Sequence, residues 1–324
     1  MTVFSKFFPL ALLFSTGIAS AQYTDQINSN RPGESMGGFS VGKTVMQVET
    51  GVYGIKEKHD ILNTETKGLG LDLQLRYGAF LEQLEFIADM QYQFDQFEDA
   101  IYTTNRNDFR QFTIGAKYLI YDPMKNYNPE VNIYSWKENH KFKWHSLIPA
   151  ISVYAGVNLI GKNNPYTFPD DGFSPKIMAI TQNRFGNVIW VNNIIADKIT
   201  TDYPSYGIIS TLTRAFAAKW SGFVELQGYK SDYYADVIGR VGAAYLLNDN
   251  MQLDASISKN FKNTPSILYG GVGFSWRFDA DYRDILLPGK ADAEKDQSDM
   301  DKKMKKQKEK QEKERLDNVL PEGE

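Results

Sequence analysis

The sequence predicts an all-β fold, a transmembrane, antiparallel up-and-down β-barrel of about 12 strands followed by a charged, partly helical tail. Three observations predict it. The first is alternation: residues 69–77 read Leu-Gly-Leu-Asp-Leu-Gln-Leu-Arg-Tyr, so every odd position is apolar except Tyr77, an aromatic, and every even one is small or polar. Only a strand, which points successive side chains to opposite faces, separates these two sets. The second is segment length: the alternating stretches run to the ~9–11 residues that a tilted strand needs to span a bilayer, longer than the ~5–6 of an ordinary globular strand. The third is composition. Twenty Phe, 19 Tyr and five Trp make 14% of the chain, a load that barrels place in girdles at the two membrane interfaces. The mean hydropathy of −0.43 does not oppose this, because only alternate residues of a barrel strand meet lipid.

In chain order, residues 1–21 carry Lys6, an apolar run over 7–18 and a closing Ala19-Ser20-Ala21, the pattern of a secretory signal peptide cleaved near Ala21. Residues 22–43 are glycine-rich and polar and are expected to be a periplasmic or plug segment; 44–278 form the barrel; 279–324 form the charged tail. Strands are expected over 44–53, 69–77, 84–94, 112–120, 147–159, 176–184, 187–196, 206–216, 220–229, 237–245, 251–258 and 267–278. Those of the middle, from 147 to 216, have both faces partly apolar. Short turns at 78–80, 185–186, 217–218 and 248–250 alternate with long polar loops at 55–67, 95–108 and 161–174, as periplasmic turns and extracellular loops do. A segment at 122–144, where Trp136, Phe142 and Trp144 interleave with lysines, is expected either to lie at the inner interface or to be an irregular charged insertion. The last strand ends Gly273-Phe274-Ser275-Trp276-Arg277-Phe278, which resembles the terminal signal read by the barrel-assembly machinery. The Lys- and Glu-rich tail has too few apolar residues for a core and is a candidate to engage a periplasmic partner.

Reactive chemistry is sparse. The chain has no cysteine and three histidines, so thiolate metal sites and cysteine nucleophiles are excluded, and no metal or cofactor is expected. His59 stands beside Glu57 and Asp60, too few ligands for a metal. His145-Ser146 suggests a base and nucleophile, but adjacent strand residues face opposite ways. No nucleophile elbow, phosphate loop or His-Glu-x-x-His occurs, so an enzyme is not expected. A net charge of −4 gives no case for nucleic acid.

What accumulates instead is a polar, inward-facing set. Glu49, Asp72, Arg76, Glu85, Asp89, Lys117, Glu225 and Arg240 are the pore-lining candidates, joined by Gln47, Gln74, Gln91, Gln227 and Asp254. They form either a translocation path, with charges setting selectivity, or an ion-pair network that fills the barrel. Arg31 is the cation of the plug candidate, kept out of the helical region by Pro32 and expected to meet the acidic wall of Glu49, Glu85 and Asp89. The alternative is a disordered leader.

The stretch Gln26-Ile27-Asn28-Ser29-Asn30-Arg31-Pro32-Gly33-Glu34-Ser35, followed by Gln47-Val48-Glu49-Thr50-Gly51, resembles the opening of a family of bacterial outer-membrane proteins. That family is known as transporters of the putative MetA pathway of phenol degradation. Its members read Asp-Arg-Pro where this chain has Asn30-Arg31-Pro32. Thr113-Ile114-Gly115-Ala116-Lys117-Tyr118 and Phe223-Val224-Glu225-Leu226 fit the same pattern. The resemblance implies a barrel in the outer-membrane lipid that passes or binds a small solute, with hydrophobic and aromatic compounds as candidates. A structural envelope barrel that anchors the tail is the second reading and an outer-membrane hydrolase the third.

Overall fold

The computed structural model describes residues 27–125, 127, 134, 144–161, 163–167 and 173–278, and its twelve antiparallel strands close into one barrel. They are β1 Met46–His59, β2 Thr64–Gly78, β3 Leu84–Glu98 and β4 Thr103–Tyr121. Next come β5 Ala150–Leu159, β6 Phe173–Phe185, β7 Val188–Asp197 and β8 Ser205–Ala215. β9 Trp220–Ser231, β10 Ala235–Asn248, β11 Met251–Asn260 and β12 Ser266–Phe278 complete the set. Each strand pairs with its sequence neighbours, and β12 closes on β1 with Gly51 opposite Gly273. Closure leaves no free edge, so the main-chain polar groups of the span are paired between strands, as a hydrocarbon environment demands.

Burial decides which face is inside. On β2, Leu69 and Leu71 are 62% and 50% exposed, whereas Arg76 is wholly buried; the charged face is the interior and the leucines point out. The same inversion holds around the barrel, with Val52, Ile194, Ile208, Val224, Val241 and Val272 all exposed. At the end where β1 begins and β12 stops, which is the end of the termini of the described barrel, this apolar band is bordered by outward rings, among them Trp220 against Tyr245 and Trp276 against Phe278 (centroids 4.8 and 4.1 Å apart). At the other end Tyr92 packs edge-on against Phe109 at 5.0 Å. A band of aliphatics between two aromatic belts is the outer face of a membrane barrel.

Three sequence expectations need correction. The loops expected at 55–67 and 95–108 are largely strand: β1 and β2 are joined by residues 60–63 alone, and β3 and β4 by 99–102. These extensions carry Lys56, Glu57, Lys58, Glu65 and Lys67, polar on both faces, so the alternation that marks the membrane span is lost while the pairing continues. The strand expected from 147 begins instead at Ala150, after a single 3-10 turn at Trp144–Leu147. His145 and Ser146 sit in that turn rather than on a strand, and His145 stacks on Tyr127 (3.8 Å) with Nε2 2.7 Å from the Pro123 carbonyl. The proposed signal peptide, the tail and most of the 122–144 segment lie outside the described residues.

The partly apolar interior of the middle strands has a cause. Tyr154, Met178, Ile180 and Val191 point inward from β5, β6 and β7 and pack with Ile87 and Met36 into a small buried core. Met36 is not a barrel residue. It belongs to the segment 27–45, which runs through the barrel's interior before β1 begins.

Candidate functional site

Two inward carboxylates hold that segment by its main chain. On β1, Glu49 accepts hydrogen bonds from the Asn30 and Arg31 amides (3.1 Å each to Oε2) and from the Ser29 hydroxyl (2.8 Å). On β9, Glu225 accepts from the Glu34 and Ser35 amides (3.0 and 3.2 Å) and from the Thr211 hydroxyl (2.7 Å). Further along, the Asn193 amide pairs with both main-chain groups of Met36, at 2.6 and 2.9 Å. Gln182 accepts from the Gly38 amide at 2.8 Å. Lys117 donates to the Gly37 and Phe39 carbonyls, 2.9 Å each. The segment therefore has its main-chain groups met by side chains of the wall, in place of a strand partner.

Between the two carboxylate anchors lies Arg31. Its guanidinium rests on Gly51 and Gly273, paired residues of β1 and β12, and reaches Asp72 on β2 at 3.3 Å and Asp254 on β11 at 3.4 Å. Asp72 is opposite Gly51 and Asp254 opposite Gly273, so one row across four strands reads carboxylate, glycine, glycine, carboxylate. A side chain at either glycine would occupy the space of the guanidinium, which explains glycines in mid-strand. Burial works against the charge on Arg31, and the two aspartates beside it offset that cost. Sequence reasoning expected Glu49, Glu85 and Asp89 as its partners. Glu49 is taken by main-chain amides, Glu85 by Arg76 and Lys117, and Asp89 by the Gln111 amide at 2.7 Å.

The other candidates divide into two groups. Glu49, Arg76, Glu85 and Lys117 form a fully buried chain of alternating charge: Arg76 to Glu49 at 2.9 Å, Arg76 to Glu85, and Lys117 to Glu85 at 2.9 Å. Arg76 also donates to the Asn28 carbonyl at 2.6 Å, tying this network to the segment. The second group, Glu225 and Arg240, faces it across the lumen, with Arg240 bridging Glu225 and the Glu34 side chain (3.2 Å). Asp72 and Asp89 complete the set, and all eight point into the barrel.

Two cavities flank the segment. One, of about 340 Å³, opens toward the end away from the termini and is bordered by Tyr53, Arg110, Lys176, Ile209, Tyr229 and Tyr269. The other, of about 310 Å³, lies toward the termini and is bordered by Ile189, Val191, Thr213, Phe223, Ala244 and Leu246. Arg31 and Pro32 border both. Arg110 was missed by the sequence reading. It is the extra residue of a β-bulge, since Gln91 pairs with Gln111 but Tyr92 pairs with Phe109, and the bulge turns Arg110 inward while Phe109 and Phe112 both face out. Two outward aromatics three apart in an alternating strand were the signal. Among the described residues no group of three metal-ligating side chains occurs.

The family described as "Putative MetA-pathway of phenol degradation" matches residues 29–278, which includes the interior segment from Ser29 and the whole barrel. The chain belongs to this family. The match begins at Ser29 and stops at the end of β12, so family membership rests on the barrel with its inner segment and not on the tail. Solved structures similar to the chain include an outer-membrane channel from Pseudomonas putida F1, at 12% identity and a TM-score of 0.48, covering 76% of this chain and 99% of that one. The translocator domain of the autotransporter NalP from Neisseria meningitidis is similar at 10% identity and a TM-score of 0.44, covering 73% and 89%. The CymD monoaromatic hydrocarbon channel follows at 9% identity and a TM-score of 0.36, covering 74% and 90%. No curated protein matches.

Proposed function

We propose that this protein is a narrow outer-membrane channel for small solutes with an apolar body, and that residues 27–45 form the septum a solute must pass. The observation that carries this reading is the pair of cavities, one on each side of the segment, with Arg31 and Pro32 as their common wall. A barrel filled only for rigidity has no need of two chambers of this size. The lumen is also lopsided. Most of the charged side chains line β1 to β4, whereas Ile195, Ile209 and Ile238 on one side of the septum and Ile189, Val191 and Phe223 on the other line β7 to β10, beside the few charges of that wall, Lys176, Asp197, Glu225 and Arg240. A solute with an apolar body fits the second wall, and the phenol link in the family's description agrees with that preference.

In this reading the inward charged residues have different roles. The Glu49–Arg76–Glu85–Lys117 chain fixes the septum to the β1–β4 wall, while Asp72, Asp254, Glu225 and Arg240 hold the part that moves. With twelve strands β1 begins and β12 ends on one side, which we assign to the periplasm, and the turns at 60–63 and 99–102 lie outside. The test is liposome swelling with arabinose, comparing the full chain with a deletion of residues 25–35. The full chain admits arabinose faster than protein-free liposomes and the deletion faster still. Uptake absent from both, with folded barrels, contradicts the channel.

A further inference from the structure

We infer that the outer cavity is a binding site for a small organic carboxylate with an aromatic or flat apolar body, held by Arg110 and Lys176. This rests on the channel reading and names its solute class.

The argument begins with which charges around the cavity are already matched. Three carboxylates border it. Asp72 pairs with Arg31 at 3.3 Å and Glu34 with Arg240 at 3.2 Å. Asp197 accepts from the Asn158 amide at 2.6 Å and from the Lys198 main-chain amide at 2.9 Å. Of the four cations that border it, Arg31 and Arg240 are thereby used. The other two, Arg110 and Lys176, have no carboxylate within 4 Å among the described residues: Lys176 faces Asp89, and Arg110 faces Glu57 and Asp72, only at longer range. The nearby Asp95 does not serve Arg110, because Arg106 clamps both its oxygens at 2.8 and 3.1 Å. In an interior where most cations reach a carboxylate directly, two that do not and that face one cavity are a site for an anion.

The geometry of Arg110 suits a carboxylate. The bulge aims it inward; one nitrogen donates to Gln93 Oε1 at 3.0 Å, and the guanidinium carbon lies 5.2 Å from the centre of the Tyr269 ring. Tyr53 donates to the same Gln93 oxygen at 3.1 Å, so the amide fixes both the cation and a ring of the cavity wall. A guanidinium seated on a ring keeps its remaining donors in one plane, the arrangement that meets a carboxylate with two parallel bonds. Tyr53 and Tyr269 on one wall and Ile195, Ile209, Tyr229 and Ile238 on the other leave a slot for the body of the solute. The volume of about 340 Å³ is at the small end of ligand pockets, which span roughly 300–1,000 Å³, and suits a single-ring compound.

Equilibrium dialysis of the full chain in detergent micelles against benzoate, benzyl alcohol and acetate tests the assignment. Benzoate is retained more strongly than either of the others. Arg110→Gln weakens benzoate retention roughly tenfold or more, as expected on removing a charged hydrogen-bond donor, and leaves benzyl alcohol unchanged. Lys176→Gln weakens it less, and Arg110→Lys recovers part of the loss. Heat-modifiable gel mobility confirms that each variant is folded. Benzoate retention unchanged in the folded Arg110→Gln, Lys176→Gln double variant overturns the assignment, and so does equal retention of acetate and benzoate by the full chain. Failure of the channel reading shows elsewhere, as absent flux in liposomes, whatever dialysis gives.

Discussion

Removing the Arg31 side chain is the most informative single change. Asp254 has no solvent-exposed side-chain surface, neither of its oxygens has a hydrogen-bond partner among the described residues, and Arg31 is the cation that reaches it. In Arg31→Ala the docked segment leaves the buried Asp254 and the largely buried Asp72 as unpaired carboxylates, at a cost of ~3–5 kcal/mol. Undocking relieves that cost, because water then reaches both carboxylates. The ratio of undocked to docked segment therefore rises by roughly two to four orders of magnitude, at ~1.4 kcal/mol per factor of ten. The bonds to Glu49, Glu225, Asn193, Gln182 and Lys117 remain, so the change shows as openings rather than permanent release. Single-channel recording in planar bilayers reads it directly: brief large-conductance events become far more frequent in Arg31→Ala. They are intermediate in Arg31→Lys and fall again when Asp72→Asn and Asp254→Asn are added to Arg31→Ala. An event frequency in folded Arg31→Ala equal to that of the parent would refute the reasoning.

Leu71→Arg, on the lipid face, should cost ~2–4 kcal/mol and lower the yield of assembled barrel, whereas Gln91→Arg, which opens on the outer cavity, should assemble. Equal yields from outer-membrane fractions would contradict the inside-out assignment. Glu85→Ala takes from the fully buried Lys117 its carboxylate and from Arg76 one of two, and should destabilise by ~3–5 kcal/mol; an unchanged midpoint in urea unfolding, read by gel mobility, speaks against the network. A cysteine at Asn163, between β5 and β6, should react with a membrane-impermeant maleimide on whole cells and one at Leu81, in the β2–β3 turn, should not. The reverse pattern would invert the topology.

The barrel was legible because its membrane span imposes a strict period of two. Residues 69–77 show it unbroken, and with it came the inward placement of Asp72 and Arg76. Where that constraint lifts, the sequence falls silent: Lys56 and Lys58 are exposed and the inward Glu57 is polar too, so nothing in their pattern separates strand from loop. The middle strands were ambiguous because Met36 brings an apolar partner into the lumen for Met178, Ile180 and Val191. Arg110 was hidden by its bulge, which breaks the alternation at the one point where it matters. The partners of Arg31 are of a different kind. They follow from which carboxylates flank a glycine pair across β1 and β12, a closing register that joins the two ends of the barrel and leaves no local trace.

The central claim, that the interior segment must move for a solute to cross, is tested most directly by tying it down. The Ser29 and Ser275 hydroxyls lie 2.8 Å apart, one on the segment and one on β12, and the chain has no other cysteine to interfere. In liposomes containing the Ser29→Cys, Ser275→Cys variant, arabinose uptake should fall on oxidation and return on addition of dithiothreitol. Uptake that is the same with the crosslink formed and reduced would contradict the account.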